Sequence, residues 1–483
     1  MCALIRNPKT IHTHKSIAHF VQDSKGSKQR PQKLRTSNQK HKMGSSVYVK
    51  EAVVVIPCEP TPARVLTLSA IDSQLFLRFT IEYLLVYRPA RPGLEHDVHL
   101  ATSRLKAALA QALVPYYPLA GRVRAKPDGS SLEVVCRAQG ALFIEAISDR
   151  YTISDFERAP KSVNQWRKLL SLHVADVLKG APPLVVQLTW LKDGAATVGV
   201  GINHCLCDGI GSAEFLNSFA ELASQKRGLA ELKPMPVWQR HLLDPLPVRS
   251  PHDISVTHLE FTRVPDLCGF LTRFSNERLA PTSTTFNERY LNELKNLATC
   301  ASLPTELSYT SFEVLSAHIW RSWARSLNLP SNQVLKILFS VNVRERVKPG
   351  IPSGYYGNAF VLGCAEASVK DLVEKGLGNA SALVKSAKER VNTEYVRRVA
   401  ASVSESAASP DSVGVLIVSQ WSRLGLEKVD FGMGVPHHVG PICCDRYCLF
   451  LPVLDQKDAV KVMVAIPTSA VDKYNYLVRS PYA

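Results

Sequence analysis

From residue 43 onward, apolar residues fall into short β-branched runs and longer stripes at helical spacing; before it they do neither. Residues 47–55 are rich in valine and read as a strand, ended by Pro57 and the Pro60-Thr61-Pro62 turn. Residues 98–114 place Leu105, Ala108, Leu109, Ala112 and Leu113 at helical intervals. That helix must stop before Pro115, which has no N–H to continue it. Short strands are predicted around Leu132–Cys136 and Ala141–Glu145. Leu184–Leu191 and Thr197–Asn203 flank Lys192-Asp193-Gly194 and predict a hairpin, followed by a helix from about Ser212 to Ser224. Further helical patterns cover 286–301, 310–327 and 368–396, interleaved with strands over 335–343, 413–420 and 459–466. The proline-rich stretch 229–251 shows no element and reads as a crossover linker. The order predicts a mixed α/β (α+β) chain of two domains, 43–228 and 252–483.

Composition narrows the class. The 483 residues are 46% hydrophobic and 21% charged, which excludes a disordered or fibrous protein. A net charge of +16 invites a nucleic-acid partner. However, residues 1–42 hold ten Lys/Arg and one acid, Asp23, so more than half the excess lies outside the patterned body. That segment reads as a disordered basic extension or a targeting segment. The body is mildly basic and lacks aromatic–basic interleaving, which argues against nucleic acid. No run of about 18 apolar residues predicts a membrane span. The eleven cysteines follow no spacing framework and read as reduced thiols of a cytoplasmic protein. Cys205 and Cys207, and the later group His437, His438, Cys443, Cys444 and Cys448, match no zinc spacing, so no metal is expected.

The stretch most suggestive of chemistry is Asn203-His204-Cys205-Leu206-Cys207-Asp208-Gly209-Ile210-Gly211. A histidine ends an apolar strand, an aspartate lies four residues on, and glycines lead into a helix. A neutral imidazole, with a pKa near 6.5, can take a proton from an alcohol or amine as a bond forms. The aspartate could orient it or anchor the loop through an arginine elsewhere. The pattern alone also fits a structural histidine.

Other blocks change the weight of that motif. Ser69-Ala70-Ile71-Asp72 and Tyr117-Pro118-Leu119-Ala120-Gly121-Arg122 precede it, and Thr310-Ser311-Phe312-Glu313-Val314-Leu315, Tyr355-Tyr356-Gly357-Asn358 and Asp430-Phe431-Gly432-Met433-Gly434 follow. In this order, they make residues 43–483 resemble the plant BAHD acyltransferases, which are acyl-CoA-dependent and carry a His-x-x-x-Asp motif. The resemblance implies a two-domain chloramphenicol-acetyltransferase-like fold with a channel between the domains. It implies acyl-CoA as co-substrate, no bound cofactor, a small-molecule alcohol as acceptor and a monomeric enzyme.

Carried over, His204 is the general base, and Asp208 is structural, paired with Arg344. Ser419 and Trp421 resemble the family's Thr-x-Trp segment and would face the reaction centre. Ser419 would then serve as a hydroxyl donor, unless it merely ends a strand. Asp430, Gly432 and Gly434 belong to a structural loop in which Met433 replaces the family's tryptophan. Thr310 and Ser311 lie where the family faces CoA, although a Ser/Thr there also suits a helix cap. Ser419–Leu426 and Val439–Ile442 look closest to the branch that moves hydroxycinnamoyl groups onto ω-hydroxy fatty acids and alcohols. The alternatives are acetyl or benzoyl transfer to other alcohols, and a catalytically weak relative that binds a ligand in the same cleft, to which the Met433 replacement points.

Overall fold

A computed structural model describes residues 46–482 apart from 90–97, 128, 130, 158–165, 167–168, 171–176, 246–257, 301–307, 407, 443–446 and 455. The basic segment 1–42, Cys443 and Cys444 therefore lie outside the described residues.

The strands are β1 (Tyr48–Val55), β2 (Arg64–Thr67), β3 (Thr80–Tyr87), β4 (Arg122–Ala125), β5 (Leu132–Cys136), β6 (Ala141–Ile147), β7 (Leu184–Trp190) and β8 (Ala196–Asn203) in the first half. The second half adds β9 (Leu279–Phe286), β10 (Val334–Asn342), β11 (Phe360–Ser368), β12 (Val415–Gln420), β13 (His438–Pro441), β14 (Cys448–Pro452) and β15 (Val460–Pro467). They form two six-stranded sheets, ordered β1-β6-β7-β8-β3-β13 and β11-β10-β12-β14-β15-β9, with a small sheet β2-β5-β4. The expected mixed α/β architecture is thus built on two sheets.

Every residue of β7 and β8 is buried, as their continuous apolar runs require of strands covered on both faces. Helices Val98–Ala112 and Gly209–Ala223 pack together in the first core, while Ser311–Ser326 packs on the second. The cores also exchange residues. Tyr356, Trp421 and Phe431 join the first, and Ala70 and Ile71 join the second.

Three features depart from the sequence reading. The stripe over 368–396 is not one helix but parts of three, Val369–Glu374, Gly376–Glu389 and Thr393–Ser406. Gly376 breaks it with φ +77°, a left-handed value that glycine adopts without steric cost. The stretch 229–251 contains two 3₁₀ turns, Leu229–Glu231 and Arg240–Leu243, and buries Arg240. Strand β13 comes from the second half of the chain yet pairs with β3 in the first sheet.

Candidate active site

His204 follows the last residue of β8, where its backbone N–H donates to the Phe79 carbonyl at 2.8 Å. Its partly buried ring lies edge-on to Phe79 at 5.2 Å and tilted to Phe360 at 5.8 Å. Nδ1 sits 3.0 Å from Asn358 Oδ1. The Asn358 amide nitrogen donates to the His204 carbonyl at 2.7 Å and to Asp72 Oδ1 at 2.8 Å. With its NH₂ committed to two acceptors, the amide must present oxygen to the ring. Nδ1 therefore carries the proton, and Nε2 keeps its lone pair.

Asp72 is the hub of this arrangement. Its carboxylate accepts from Ser69 Oγ at 2.7 Å, the Asn358 backbone at 3.0 Å and Arg240 Nη1 at 2.9 Å. The two side chains of the ion pair are 0% and 2% exposed. Arg240 lies 4.2 Å over Trp238 and also faces the Tyr355 and Tyr356 rings, while its other amino group donates to the Leu206 carbonyl. A Cβ on Gly357 would sit 1.9 Å from Arg240 Nη1, so only glycine lets the loop before β11 close over the guanidinium.

Asp208 caps the helix Gly209–Ala223 by accepting from the Gly211 N–H at 2.8 Å. The same carboxylate takes a two-pronged bond from Arg344 at 2.8 and 3.0 Å and a third donor, the Ala359 N–H, at 3.0 Å. Burial alone would raise its pKa; Arg344 and the two backbone donors hold it below the usual carboxylate value. None of these bonds involves His204. Burial also lowers the His204 pKa, opposed by Asn358 and by the Asp208 and Asp72 charges. The imidazole is accordingly neutral near pH 7.

Ser419 and Trp421 pair with each other: indole Nε1 donates to the serine hydroxyl at 3.3 Å. Trp421 packs on Tyr83 of β3 at 5.0 Å, four residues along the strand numbering from Phe79. Thr310 closes a capping box with Glu313, donating its N–H to the carboxylate at 2.8 Å and accepting at 3.4 Å. Ser311, next to it, lines a cleft of about 940 Å³ bordered by Arg88, Lys295, Arg423 and Lys457 and also by Glu288, Glu427 and Asp458. Of the two hydroxyls, only Ser311 faces this space. The Asp430 loop is elsewhere. Phe431 packs on Tyr87 and Phe219, at the end of β3 opposite the Asn203 pairing. Seven residues of strand, about 23 Å, separate it from His204.

A family model described as the transferase family matches residues 45–476. The chain belongs to the BAHD acyltransferases. This acyltransferase is 33% identical over 439 residues to taxadien-5-alpha-ol O-acetyltransferase of Taxus chinensis, covering 89% of the chain and 95% of that protein. It is 32% identical over 434 residues to omega-hydroxypalmitate O-feruloyl transferase of Arabidopsis thaliana, covering 89% and 92%. Its fold matches vinorine synthase with a TM-score of 0.67 at 19% identity, over 88% of this chain and 96% of that one. TRI101 of F. sporotrichioides, solved with coenzyme A and T-2, also matches at 0.67, with 16% identity over 86% and 97%.

Two residues that orient the acyltransferase's histidine, Asp72 and Asn358, lie in motif blocks but carried no assigned role in the sequence. Arg240 gave no signal at all, being an arginine outside every motif block, in a stretch without periodicity. Among the described residues, no three His, Cys, Asp or Glu side chains gather as metal ligands.

Proposed function

We propose that this BAHD acyltransferase moves an acyl group, hydroxycinnamoyl ahead of acetyl, from its CoA thioester to the hydroxyl of a largely apolar acceptor. The carrying observation is the bond from His204 Nδ1 to Asn358 Oδ1, which leaves Nε2 as a base. Nε2 takes the acceptor's proton as its oxygen attacks the thioester carbonyl. The tetrahedral intermediate collapses, and the imidazolium returns the proton to the departing CoA sulfur. Because Trp421 occupies a lone pair of the Ser419 oxygen, the serine O–H is available to donate to the developing oxyanion. Arg88, Lys295, Arg423 and Lys457, set among three carboxylates on the border of the Ser311 cleft, supply cations that the phosphates of CoA would meet.

The donor preference is supported by relatives named for feruloyl and caffeoyl transfer and by the aromatic rings flanking His204. Asp208 and Arg344 hold the loop, Asp430, Gly432 and Gly434 a remote turn, and Thr310 a helix end. The same reading has the enzyme act as a cytoplasmic monomer. The test is release of free CoA thiol from feruloyl-CoA mixed with a long-chain alcohol. Wild type is expected to turn over, and His204→Ala to stay folded and lose at least about a hundredfold in rate. A folded His204→Ala that retains most of its turnover would refute the mechanism. Exclusive acylation of amines would refute the acceptor class.

A further inference from the structure

The bond between Asn358 and His204 is the last link of a longer chain. Asp72 Oδ1 accepts from the Asn358 side-chain nitrogen at 2.8 Å, and the Asn358 carbonyl oxygen faces His204 Nδ1 at 3.0 Å. Both carboxylate oxygens are also held from elsewhere. Oδ2 takes the Ser69 N–H at 3.1 Å and the Ser69 hydroxyl at 2.7 Å. Oδ1 takes the Asn358 N–H at 3.0 Å and Arg240 Nη1 at 2.9 Å. The negative charge therefore reaches the imidazole through one amide. Hydrogen bonds in series polarise one another, so the amide oxygen that meets Nδ1–H accepts more strongly than an isolated one.

Arg240 closes the chain at its far end. It stands in the stretch between the two halves, and its two amino groups reach different segments. Nη1 meets the Asp72 carboxylate, and Nη2 donates to the Leu206 carbonyl at 2.8 Å, two residues beyond the base. Trp238, Tyr356 and Tyr355 face the guanidinium at 4.2, 5.0 and 5.4 Å, which fixes its plane. One rigid fork thus locates both the loop that carries His204 and the carboxylate behind Asn358. A cation that only neutralised Asp72 would need no second prong on the histidine loop.

Among the described residues, two carboxylates bear on the base. Asp208, on the same loop, is matched by Arg344, and Asp72, on the turn after β2, by Arg240. The rings against the imidazole, Phe79 and Phe360, are neutral. Burial pushes the Cys205 and Cys207 thiols and the Tyr355 and Tyr356 hydroxyls well above their ordinary values, so all four stay protonated near pH 7. Arg78 interacts with Cys205 from the turn before β3. Each carboxylate favours the imidazolium, and each arginine behind a carboxylate limits that effect.

We infer that Arg240 is a positioning residue for acyl transfer: through Asp72 and Asn358 it places His204 and sets how strongly Nε2 holds a proton. The inference rests on the acyl-transfer reading above. When Nε2 takes the acceptor's proton, positive charge appears on the ring and Nδ1–H becomes a better donor. The bond to Asn358 tightens, and the Asp72 charge behind it stabilises the imidazolium. No proton passes along the chain: Nδ1 keeps its own, and Nε2 returns the acceptor's proton to the departing CoA sulfur. Arg240 keeps the support moderate, so that the ring still gives the proton up.

The test reads the protonation of His204 in the full chain twice. One reading is the acid limb of kcat/KM for CoA-thiol release from feruloyl-CoA and a long-chain alcohol. The other is the imidazole 15N titration of histidine-labelled protein, assigned with His204→Ala. Asp72→Asn leaves the guanidinium unopposed and is expected to lower the midpoint by about one pH unit, the scale of a unit charge several ångströms away. Arg240→Met leaves the carboxylate on its four other donors and is expected to raise the midpoint by a similar amount. Arg240→Lys keeps the charge and the midpoint; loss of the fork lowers kcat about tenfold with little change in KM for the acyl-CoA. The double variant Asp72→Asn/Arg240→Met removes both charges and returns the midpoint close to wild type.

Loss of packing alone would not order the midpoints with Asp72→Asn below wild type and Arg240→Met above it. Equal midpoints in every folded variant, with rates falling only as the folded fraction falls, would overturn the inference. If Arg240→Met and the double variant do not fold, Asp72→Asn and Arg240→Lys, which keep size or charge, carry the comparison. The wild type adds a reading of its own: neutral His204 is expected to be protonated at Nδ1, and an Nε2–H tautomer would overturn the chain. Shifted 15N midpoints without any acyl transfer would overturn the proposed function and leave the linkage standing. Acyl transfer with unshifted midpoints would do the reverse.

Discussion

An aspartate loop is fastened at each end of β3, and the two fastenings differ in what surrounds them. At one end Asp430 accepts the Gly432 and Gly434 N–H groups at 2.8 Å each and pairs with Lys226, whose side chain is 60% exposed. At the other, Asp208 and Asp72 accept comparable backbone donors but pair with Arg344 and Arg240, which are 14% and 2% exposed. Both arrangements tie the second half of the chain onto the first. Water screens the lysine pair and is kept from the arginine pairs, so a similar set of bonds carries very different penalties when broken.

The largest effect is expected from Asp208→Ala. It strands a buried guanidinium, costing about 3–5 kcal/mol in denaturant unfolding, and lowers activity in step with the folded fraction. A cost no larger than that of Lys226→Ala would erase the contrast between the two ends. Next comes Asn358→Ala, which frees the imidazole to choose its tautomer. Here kcat is expected to fall about a hundredfold while KM for the acyl-CoA changes little. The wild-type acid limb should fall with a midpoint below 6.5, because the folded enzyme holds His204 neutral; a midpoint above 6.5 would contradict that placement.

Glu214 sharpens the comparison through pH. Burial pushes its carboxyl up to about 7 from the usual 4.5, against the pull of Arg344. Folding therefore favours its protonated form, a contribution complete below pH 4.5 and lost as pH rises through about 7. Glu214→Gln is expected to be more stable than wild type at pH 8, by about 1 kcal/mol after allowing for solvent, and not at pH 4. The smallest effect belongs to Lys226→Ala. Its cost should stay under about 1 kcal/mol and vanish in high salt, measured by thermal unfolding at two ionic strengths.

What the sequence revealed follows the same division between local and distant. The His204-to-Asp208 spacing, the helix behind it and the hairpin before it are set by neighbours within a few residues, so pattern reading found them. The partner Arg344 came only through family resemblance, being 136 positions away from Asp208. Asn358 acts on a ring 154 positions earlier, and Arg240 on a carboxylate 168 positions earlier. No periodicity encodes such contacts. Strand β3 went unassigned for another reason: its run Ile81–Tyr87 is almost wholly apolar, and period-2 alternation is absent from strands buried on both faces. The stripe over 368–396 misled in the opposite sense, its apolar spacing running on through Gly376 where the backbone turns left-handed.

Strand β13 makes the order of synthesis matter. One edge of β3 is satisfied by β8, which the ribosome has already delivered; the other waits for His438–Pro441, more than three hundred residues later. Until then the nascent first half carries a bare apolar strand edge, the surface on which chains pair with the wrong neighbour. The first half expressed alone would keep that edge for good. Completion of the first sheet is thus an event of the last stage of translation, and truncation anywhere before residue 438 would leave it open.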